Sequence, residues 1–200
     1  MATSVDHEAR RREILQKSLA LFSDLGYSGV TYRQLAERCG LARTALYRYF
    51  PGKREIFDSA LNQLSQELSH SFRQELARDP ELLAAEKLEL VMLQVLEMIF
   101  THVRLLQAII EYLIAQRRQG EDVARKVRRH TMAMRRTIVQ LLREGVAKGE
   151  FQNMRCDFIG DVLFGILESA VLRVAIADTA EFEAMRSSCR VAIQALKANS

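Results

Sequence analysis

The sequence has few residues that interrupt helices. Its 200 residues include two prolines, nine glycines and no tryptophan. Leu, Ala, Arg, Glu and Gln are abundant, and all five favour the helix. Few stretches alternate between polar and apolar residues with the period of two that is typical of β-strands. The composition therefore predicts an all-α fold.

Cysteine is also scarce. Cys39, Cys156 and Cys189 are odd in number, far apart in sequence and without a CxxC spacing. This pattern argues against a disulfide framework. We expect buried free thiols in a reducing cytosol, with a redox-sensing cysteine as the alternative.

Long apolar runs are missing as well. The longest strongly apolar run, Val162–Leu167, is ended by Glu168, whereas a membrane-spanning helix needs about 20 such residues. Near the N-terminus, Arg10–Arg12 and the polar residues that follow Leu15 interrupt the apolar core that a signal peptide requires. The sequence therefore predicts a soluble, cytoplasmic protein without a membrane partner.

Positive charge is concentrated in the first quarter of the chain. The net charge is +4, but residues 1–54 hold ten Lys or Arg against five Asp or Glu, and residues 55–200 hold 19 against 20. A basic segment on a near-neutral body indicates a local face that binds a polyanion. The alternative is a chance excess of charge on a solvated surface.

Apolar residues recur with helical spacing along the whole chain. We predict a three-helix helix-turn-helix domain over residues 1–54 and a six-helix domain over 55–200, for ligand binding and dimerisation. The long fourth helix should couple the two mechanically. The predicted helices cover residues 8–25, 32–38, 42–49, 53–78, 81–100, 103–117, 121–147, 156–177 and 181–197.

Residues 32–49 have the pattern of a helix-turn-helix. Thr31 and Gln34 have the spacing of a capping box at the start of the first helix. Ala36 is small enough for a close helix crossing, and Gly40 supplies the turn. A helical wheel of the second helix places four polar side chains on one half, which suits entry into the major groove: Arg43, Thr44, Tyr47 and Arg48. The alternative is a plain helical hairpin with a solvated basic face.

These motifs resemble the TetR family of bacterial transcriptional regulators. The resemblance covers about residues 10–57 and rests on Ile14, Phe22, Gly26, Tyr27, Thr31, Leu35-Ala36, Gly40-Leu41, Leu46-Tyr47-Arg48-Tyr49-Phe50 and Lys53. It implies contacts to the DNA backbone from Thr31, Tyr47 and Lys53. It implies base or phosphate contacts from Tyr32, Arg33, Arg43, Thr44 and Arg48. Tyr49 stands where the family often has a histidine that touches DNA.

Two residues depart from the family pattern. Ala42 replaces the usual Ser or Thr helix cap, and Ala45 replaces a common hydroxyl that contacts DNA. Loss of the cap is expected to cost about 1 kcal/mol of local stability. Thr44 is placed to substitute for the missing hydroxyl one position earlier.

The larger domain shows no catalytic or metal-binding pattern in sequence. It has no GxSxG, no HExxH and no phosphate-binding glycine loop. We therefore expect no enzyme activity, no metal and no cofactor. A basic cluster around Gly120, from Arg117 to Arg129, is either a solvated loop face or an anion site.

Two regions of the larger domain suggest binding. Methionines and aromatics cluster in its middle, as in an adaptable apolar pocket or simply a core; the candidate ligand-binding residues are Met98, Phe100, Tyr112, Met132 and Phe164. Residues 156–197 form two apolar helices rich in small residues. The resemblance implies that these helices make a homodimer through a four-helix bundle, and burial within one subunit is the alternative.

The resemblance implies a ligand-responsive regulator of transcription. We expect a repressor that leaves a near-palindromic DNA operator when a small apolar effector binds. Two rival functions remain at this point: a helical dimeric interaction protein that does not bind DNA, and an enzyme on a helical scaffold. DNA binding would exclude the first, and a convergent acid–base or metal set would favour the second.

Overall fold

A computed structural model of the chain is all-α, as predicted. It describes residues 4–177, 179 and 181–198, without the side chains of residues 4, 5, 129 and 130. Arg129 of the predicted basic cluster, and Asp178 and Ala180 of the predicted dimer segment, lie outside this description. The helices are α1 (Ser4–Gly29), α2 (Tyr32–Arg38), α3 (Arg43–Tyr47), α4 (Lys53–Arg78), α5 (Ala84–Thr101), α6 (Val103–Arg118), α7 (Val123–Ala147), α8 (Cys156–Leu172) and α9 (Phe182–Gln194).

Most helix ends lie within three residues of the predicted positions, but α1 and α8 differ. Gly26 interrupts α1 with a φ of +71°, and one more turn follows to Gly29. A short π-helical segment, Arg173–Ala177, continues α8. Helix α5 begins at Ala84, where the Glu150 carboxylate accepts the Ala84 backbone N–H at 2.6 Å. A side chain 66 residues away therefore helps to set this boundary.

The described helices pack as two units. Unit 1 comprises the described residues up to Leu68 together with Arg104–Val123, and unit 2 comprises Ser69–Val103 and the described residues from Ala124 onward. Helix α4 begins in unit 1 and ends in unit 2, and α6 belongs to unit 1. These two units do not coincide with the predicted domains, residues 1–54 and 55–200. The predicted domains remain a prediction about function.

The core of unit 1 contains apolar side chains from α1, α2, α3, α4 and α6. Phe22, Leu35, Leu46, Phe57 and Tyr112 are among its fully buried residues. Phe22 packs edge-on against Phe57 at 4.7 Å between ring centroids, and Phe57 packs edge-on against Tyr112 at 4.9 Å. These aromatic contacts join α1, α4 and α6 in one core.

The core of unit 2 is built mainly by α5, α7, α8 and α9. Leu88, Met92, Leu142 and Cys189 are fully buried there. Gly160 allows a close approach to α7, because an added Cβ would lie 2.5 Å from Cγ2 of Val139. Near the C-terminus, Gln152 N–H donates to Leu196 O at 3.0 Å, which ties the tail to the loop after α7.

No single helix among the described residues is long and apolar enough to cross a membrane; only α5 and α6, counted together as a bent pair, reach that length and composition. The three cysteines are free, as expected, and Cys39 and Cys189 are buried. Cys156 is only partly buried.

Candidate nucleic-acid interface

Helix α2 begins with the predicted capping box. Thr31 is the N-cap, its hydroxyl accepts the Gln34 backbone N–H at 3.3 Å, and the Gln34 side chain accepts the Thr31 N–H at 2.8 Å. This reciprocal pair satisfies two N–H groups that the first turn would otherwise leave open. The capping box therefore fixes where α2 starts.

The turn between α2 and α3 requires Gly40, as predicted. Gly40 has a φ of +66°, a conformation that costs little only for glycine. Ala36 and Leu46 are buried on either side of the turn. Ala42 is the N-cap of α3 and makes no side-chain capping bond. Tertiary packing therefore holds α3, which is only five residues long.

The outer face of α3 carries the side chains that the helical wheel selected. Arg43, Thr44, Tyr47 and Arg48 are exposed, and Leu46 is buried behind them. Arg43 Nη2 donates to the Tyr47 hydroxyl at 3.3 Å. The face thus presents two guanidinium groups, a hydroxyl and a phenol, which can donate hydrogen bonds to phosphates and base edges.

Tyr32 supports this face from α2. Its ring stacks on Tyr47 with 4.4 Å between centroids, and its hydroxyl donates to the carbonyl of Phe50 at 2.6 Å. Burial raises the pKa of Tyr32 to about 12. The Tyr32 hydroxyl is engaged within the protein, so its position suits orientation of Tyr47 better than the predicted contact to DNA.

Lys53 points inward and not toward the exposed face. Its Nζ donates to the carbonyls of Tyr27 at 3.0 Å and Val30 at 2.9 Å and lies 4.5 Å from the centre of the Tyr27 ring. Burial lowers the pKa of Lys53, and the nearby Glu111 carboxylate opposes that shift. Lys53 therefore ties α4 to the end of α1. Its contact to a DNA phosphate stays a prediction.

Arg33 and Tyr49 flank the α3 face. Arg33 pairs with Glu37 at 2.7 Å, and both side chains are largely exposed. Such exposed pairs add little stability, so Arg33 can exchange this partner for a phosphate at little cost. Tyr49 is partly buried, and its ring stacks against His7 with 4.7 Å between centroids.

Glu111 of α6 holds the end of α1. Its carboxylate accepts the backbone N–H groups of Tyr27 at 2.8 Å and Ser28 at 3.1 Å. The Ser28 side chain, these N–H groups and the Lys53 ammonium lower the pKa of Glu111, and burial opposes them. Gly26 is needed for its positive φ, and an added Cβ there would lie 2.9 Å from this carboxylate, which would have to move.

The residue after Glu111 on α6 is also bound within unit 1. The hydroxyl of Tyr112 donates to the Asp58 carboxylate at 2.6 Å, and burial and Asp58 raise the pKa of Tyr112. Tyr112 was predicted to line a ligand pocket, but it is fully buried in the aromatic core of unit 1. We therefore do not include it in the candidate ligand site.

Comparison with known proteins identifies this helix-turn-helix. Residues 14–60 match the sequence model of the family described as bacterial regulatory proteins, tetR family. Residues 14–60 are therefore a TetR-family helix-turn-helix segment. The matched segment contains α2, α3 and the start of α4.

Similarity to curated TetR-family proteins is confined to part of the chain. The HTH-type transcriptional repressor KstR of Rhodococcus jostii is 36% identical over 86 residues. That match covers 43% of this chain and only 39% of the relative.

Two solved structures of transcription regulators share the fold over most of the chain. A TetR transcription regulator from Haloarcula marismortui has a TM-score of 0.83 at 21% identity, over 96% of this chain and 100% of that one. The regulator FadR from Bacillus subtilis, solved in complex with stearoyl-CoA, has a TM-score of 0.72 at 18% identity, over 90% and 96%. At these identities the similarity extends to the fold alone.

The remaining ligand-site candidates all lie in unit 2. Met98 and Phe164 are partly buried, and Met132 is 39% exposed. Phe100 packs edge-on against Phe182 of α9 at 5.3 Å. The four stay predicted ligand contacts. Among the described residues, no three His, Cys, Asp or Glu side chains are grouped so that they could hold a metal ion.

Helix α8 leaves an apolar stripe exposed. Phe158, Val162, Leu172 and Ile176, the last in the π-helical continuation, are each more than half exposed, and Gly165 and Ser169 lie between them at helical spacing. We call these six residues the α8 stripe. An added Cβ at Gly165 would have no heavy atom within 4 Å. Helix α9 exposes Val191 as well, at 69%. Exposed apolar surface of this kind is typical of protein interfaces.

Sequence analysis missed two features of this TetR-family site. Arg38 lies exposed at the end of α2, two residues before the turn, and is a further candidate for a phosphate contact. Its position in the helix-turn-helix was a usable signal. No local sequence signal predicted the Glu111 contact, because it joins residues more than 80 positions apart.

Proposed function

We propose that the protein is a ligand-responsive, DNA-binding transcription regulator that acts as a repressor. The main support is the exposed face of α3, where Arg43, Thr44, Tyr47 and Arg48 project from a helix held by a buried core. KstR, which is 36% identical to this chain over 86 residues, is a transcriptional repressor by name. The proposal assigns the chain no reaction and no cofactor, and it places the protein in the cytoplasm with the chromosome.

The proposed DNA target is a near-palindromic duplex. Two copies of α3 related by a two-fold axis would enter successive major grooves, roughly 34–36 Å apart. Arg43, Thr44 and Arg48 would reach bases or nearby phosphates. Thr31, Tyr47 and Arg33 would bind the backbone, with Tyr32 orienting Tyr47.

The proposed partner in this assembly is a second copy of the chain. The α8 stripe and Val191 would be covered in a homodimer through residues of about 156–197, with α8 and α9 of each copy in a four-helix bundle. An obligate interface of this type buries on the order of 2,000 Å² in total.

The proposed effector is a small, mainly apolar molecule that binds in unit 2. Met98, Phe100, Met132 and Phe164 are its candidate contacts. FadR, whose fold this chain shares, was solved with stearoyl-CoA, which makes that compound a sensible first probe. A coupling free energy of about 1–3 kcal/mol between effector and DNA would suffice for regulation. Transmission would run along α4, which begins in unit 1 and ends in unit 2.

A gel shift tests the proposed function directly. The parent protein should retain duplexes from the chromosomal region that flanks its gene and release scrambled duplexes of equal length. Arg43→Ala should lose this preference, and Arg136→Ala, which removes an exposed arginine of α7, should keep it. If the parent protein showed no preference, the interaction-protein alternative would replace this proposal.

Thermal shift with stearoyl-CoA, and then with a panel of apolar molecules, tests the effector. A ligand that stabilises the protein should also weaken operator binding. By linkage, operator DNA should weaken ligand binding by the same factor. A ligand that stabilises the protein and leaves operator affinity unchanged would contradict the regulatory mechanism.

A further inference from the structure

The first turns of α1 contact the helix-turn-helix from outside the segment that matches the family. The family match begins at residue 14, but α1 begins at Ser4. His7, Arg10 and Arg11 lie on these extra turns with spacings of three and four residues, so they share one side of the helix. All three contact residues at the ends of α2 or α3.

Arg10 binds the end of α2. Its Nη2 donates to the backbone carbonyl of Cys39 at 3.0 Å, and its Nη1 pairs with Glu13 at 2.5 Å. Cys39 is the C-cap of α2. The last carbonyls of a helix lack intrahelical partners and carry partial negative charge, so a guanidinium is favourable there.

Arg11 binds just beyond the end of α3. Its Nη1 donates to the carbonyl of Tyr49 at 2.9 Å, and its guanidinium carbon lies 4.2 Å from the centre of the Phe50 ring. Phe50 is buried in the core of unit 1. His7 stacks on the Tyr49 ring from the preceding turn. Arg11 thus contacts both a backbone carbonyl and a core aromatic ring just beyond the end of α3.

These contacts matter because α3 cannot hold its own position. Helices shorter than about 12 residues are marginal in isolation, and α3 has five residues and no side-chain cap at Ala42. Its angle to the rest of unit 1 must therefore come from tertiary contacts. Leu46 supplies one from inside the core, and Arg11 supplies one from the outer end.

We propose that Arg11 is a positioning residue that sets the angle of α3, that Arg10 holds the end of α2, and that neither arginine is a phosphate ligand. The inference rests on the proposed DNA-binding function for its effect on affinity. Its structural part, that Arg11 orders residues 43–50, does not depend on DNA. Arg12 is the matched control, because it is exposed and makes no hydrogen bond or ion pair within the described part of the chain.

Hydrogen exchange on the free protein tests the structural part. In Arg11→Ala, backbone amides of residues 45–50 should exchange roughly tenfold faster than in the parent, because the contact that closes this segment is lost. In Arg12→Ala they should exchange at the parent rate. Equal rates in all three proteins would overturn the proposal.

Binding to operator and scrambled duplexes at several salt concentrations tests the functional part. Compared with Arg12→Ala, which removes the same charge, Arg11→Ala should lower the ratio of operator to scrambled affinity about tenfold, because a misplaced α3 loses contacts to base edges. The dependence of log affinity on log salt should be equal in the two variants. Arg11→Lys should restore part of the ratio, since a lysine can still donate to Tyr49.

Two outcomes of this titration would overturn the proposal. One is a salt dependence that is weaker by about one unit in Arg11→Ala than in Arg12→Ala, as loss of a phosphate ligand would give. The other is an unchanged affinity ratio. A parent protein that does not distinguish the duplexes would refute the proposed function instead, and hydrogen exchange would still decide the role of Arg11.

Discussion

The exposed face of α3 and the α8 stripe both face solvent in the single chain, but they differ in chemistry. The α3 face presents Arg43, Thr44, Tyr47 and Arg48 above a buried core, whereas the stripe presents Phe158, Val162, Leu172 and Ile176. Covering guanidinium and hydroxyl groups with an apolar surface costs free energy, whereas hydrogen bonds to phosphates or base edges stabilise the complex. Apolar side chains contribute a favourable free energy only when another apolar surface removes them from water.

This difference indicates two kinds of partner for one molecule. The α3 face suits a polyanion whose binding depends on salt, and the α8 stripe suits a second copy whose binding depends on buried apolar area. Operator binding by the α3 face also depends on dimerisation, because a palindromic operator needs two α3 helices at a fixed separation.

A charge on the α8 stripe should have the largest effect. Gly165→Glu would bury two unpaired carboxylates in a symmetric dimer, which costs several kcal/mol. We expect at least about a thousandfold weaker dimerisation, measured by sedimentation, together with loss of operator binding. The open space around Gly165 means that the monomer can accept the side chain.

Gln140→Glu is the control for this variant, because it adds the same charge at an exposed site on α7. It should dimerise like the parent protein. A parent protein that sediments as a monomer at micromolar concentration would refute the dimer assignment.

Removal of a cation from the α3 face should have the next largest effect. Arg43→Ala should weaken operator binding by about 1–3 kcal/mol if Arg43 reads a guanine, as measured by fluorescence anisotropy. Its dimerisation should be unchanged, since α3 lies in the other unit from the α8 stripe. Equal operator affinity in the variant and the parent would show that Arg43 does not contact DNA.

Substitution of Glu111 should have a smaller effect. It should lower the stability of unit 1 without changing the side chains of the α3 face or the α8 stripe. Glu111→Gln should lower the free energy of unfolding by about 1 kcal/mol at pH 7, because it weakens the hydrogen bonds to Tyr27 and Ser28. The pKa of Glu111 is lower in the folded protein than its ordinary value of 4.5. The stabilisation should therefore be complete above that value and disappear as the pH falls through the folded-state pKa.

Denaturant unfolding at several pH values measures this contribution. The difference between the parent and Glu111→Gln should shrink as the pH falls below 4.5, the ordinary pKa of the carboxyl group. A difference that stays constant over this range would mean that the carboxylate charge does not stabilise the end of α1.

The smallest effect is expected at the edge of the α3 face. Arg33→Ala removes an ion pair with Glu37 in which both side chains are largely exposed. The thermal midpoint should not change measurably, because such exposed pairs contribute little. Salt-dependent DNA binding should weaken modestly for operator and scrambled duplexes alike, because a phosphate contact carries no sequence information. A clear drop in the thermal midpoint would show that Arg33 is structural.

Local sequence patterns predicted the fold and the outer face of α3. The Thr31–Gln34 capping box, the positive φ of Gly40 and the exposure of Arg43 and Arg48 depend on neighbours a few residues away. A periodic pattern and a helical wheel capture such relations directly.

Long-range contacts explain what the sequence could not predict. Lys53 donates to the carbonyls of Tyr27 and Val30, and Tyr112 donates to Asp58, and neither contact could be read from the sequence. The sequence showed Arg10 and Arg11 only as positive charges. In the structure Arg10 binds the carbonyl of Cys39, 29 residues away, and Arg11 binds the carbonyl of Tyr49, 38 residues away. Side chains that are so distant in sequence meet only in the folded structure.

Selection from random duplexes followed by sequencing tests the central claim most directly. The parent protein should enrich an inverted repeat whose half-site centres are about one helical turn apart or slightly more. Arg43→Ala should enrich the same repeat with relaxed base preference at one position of each half-site. No enriched sequence with the parent protein, or an identical motif with Arg43→Ala, would contradict sequence reading by α3.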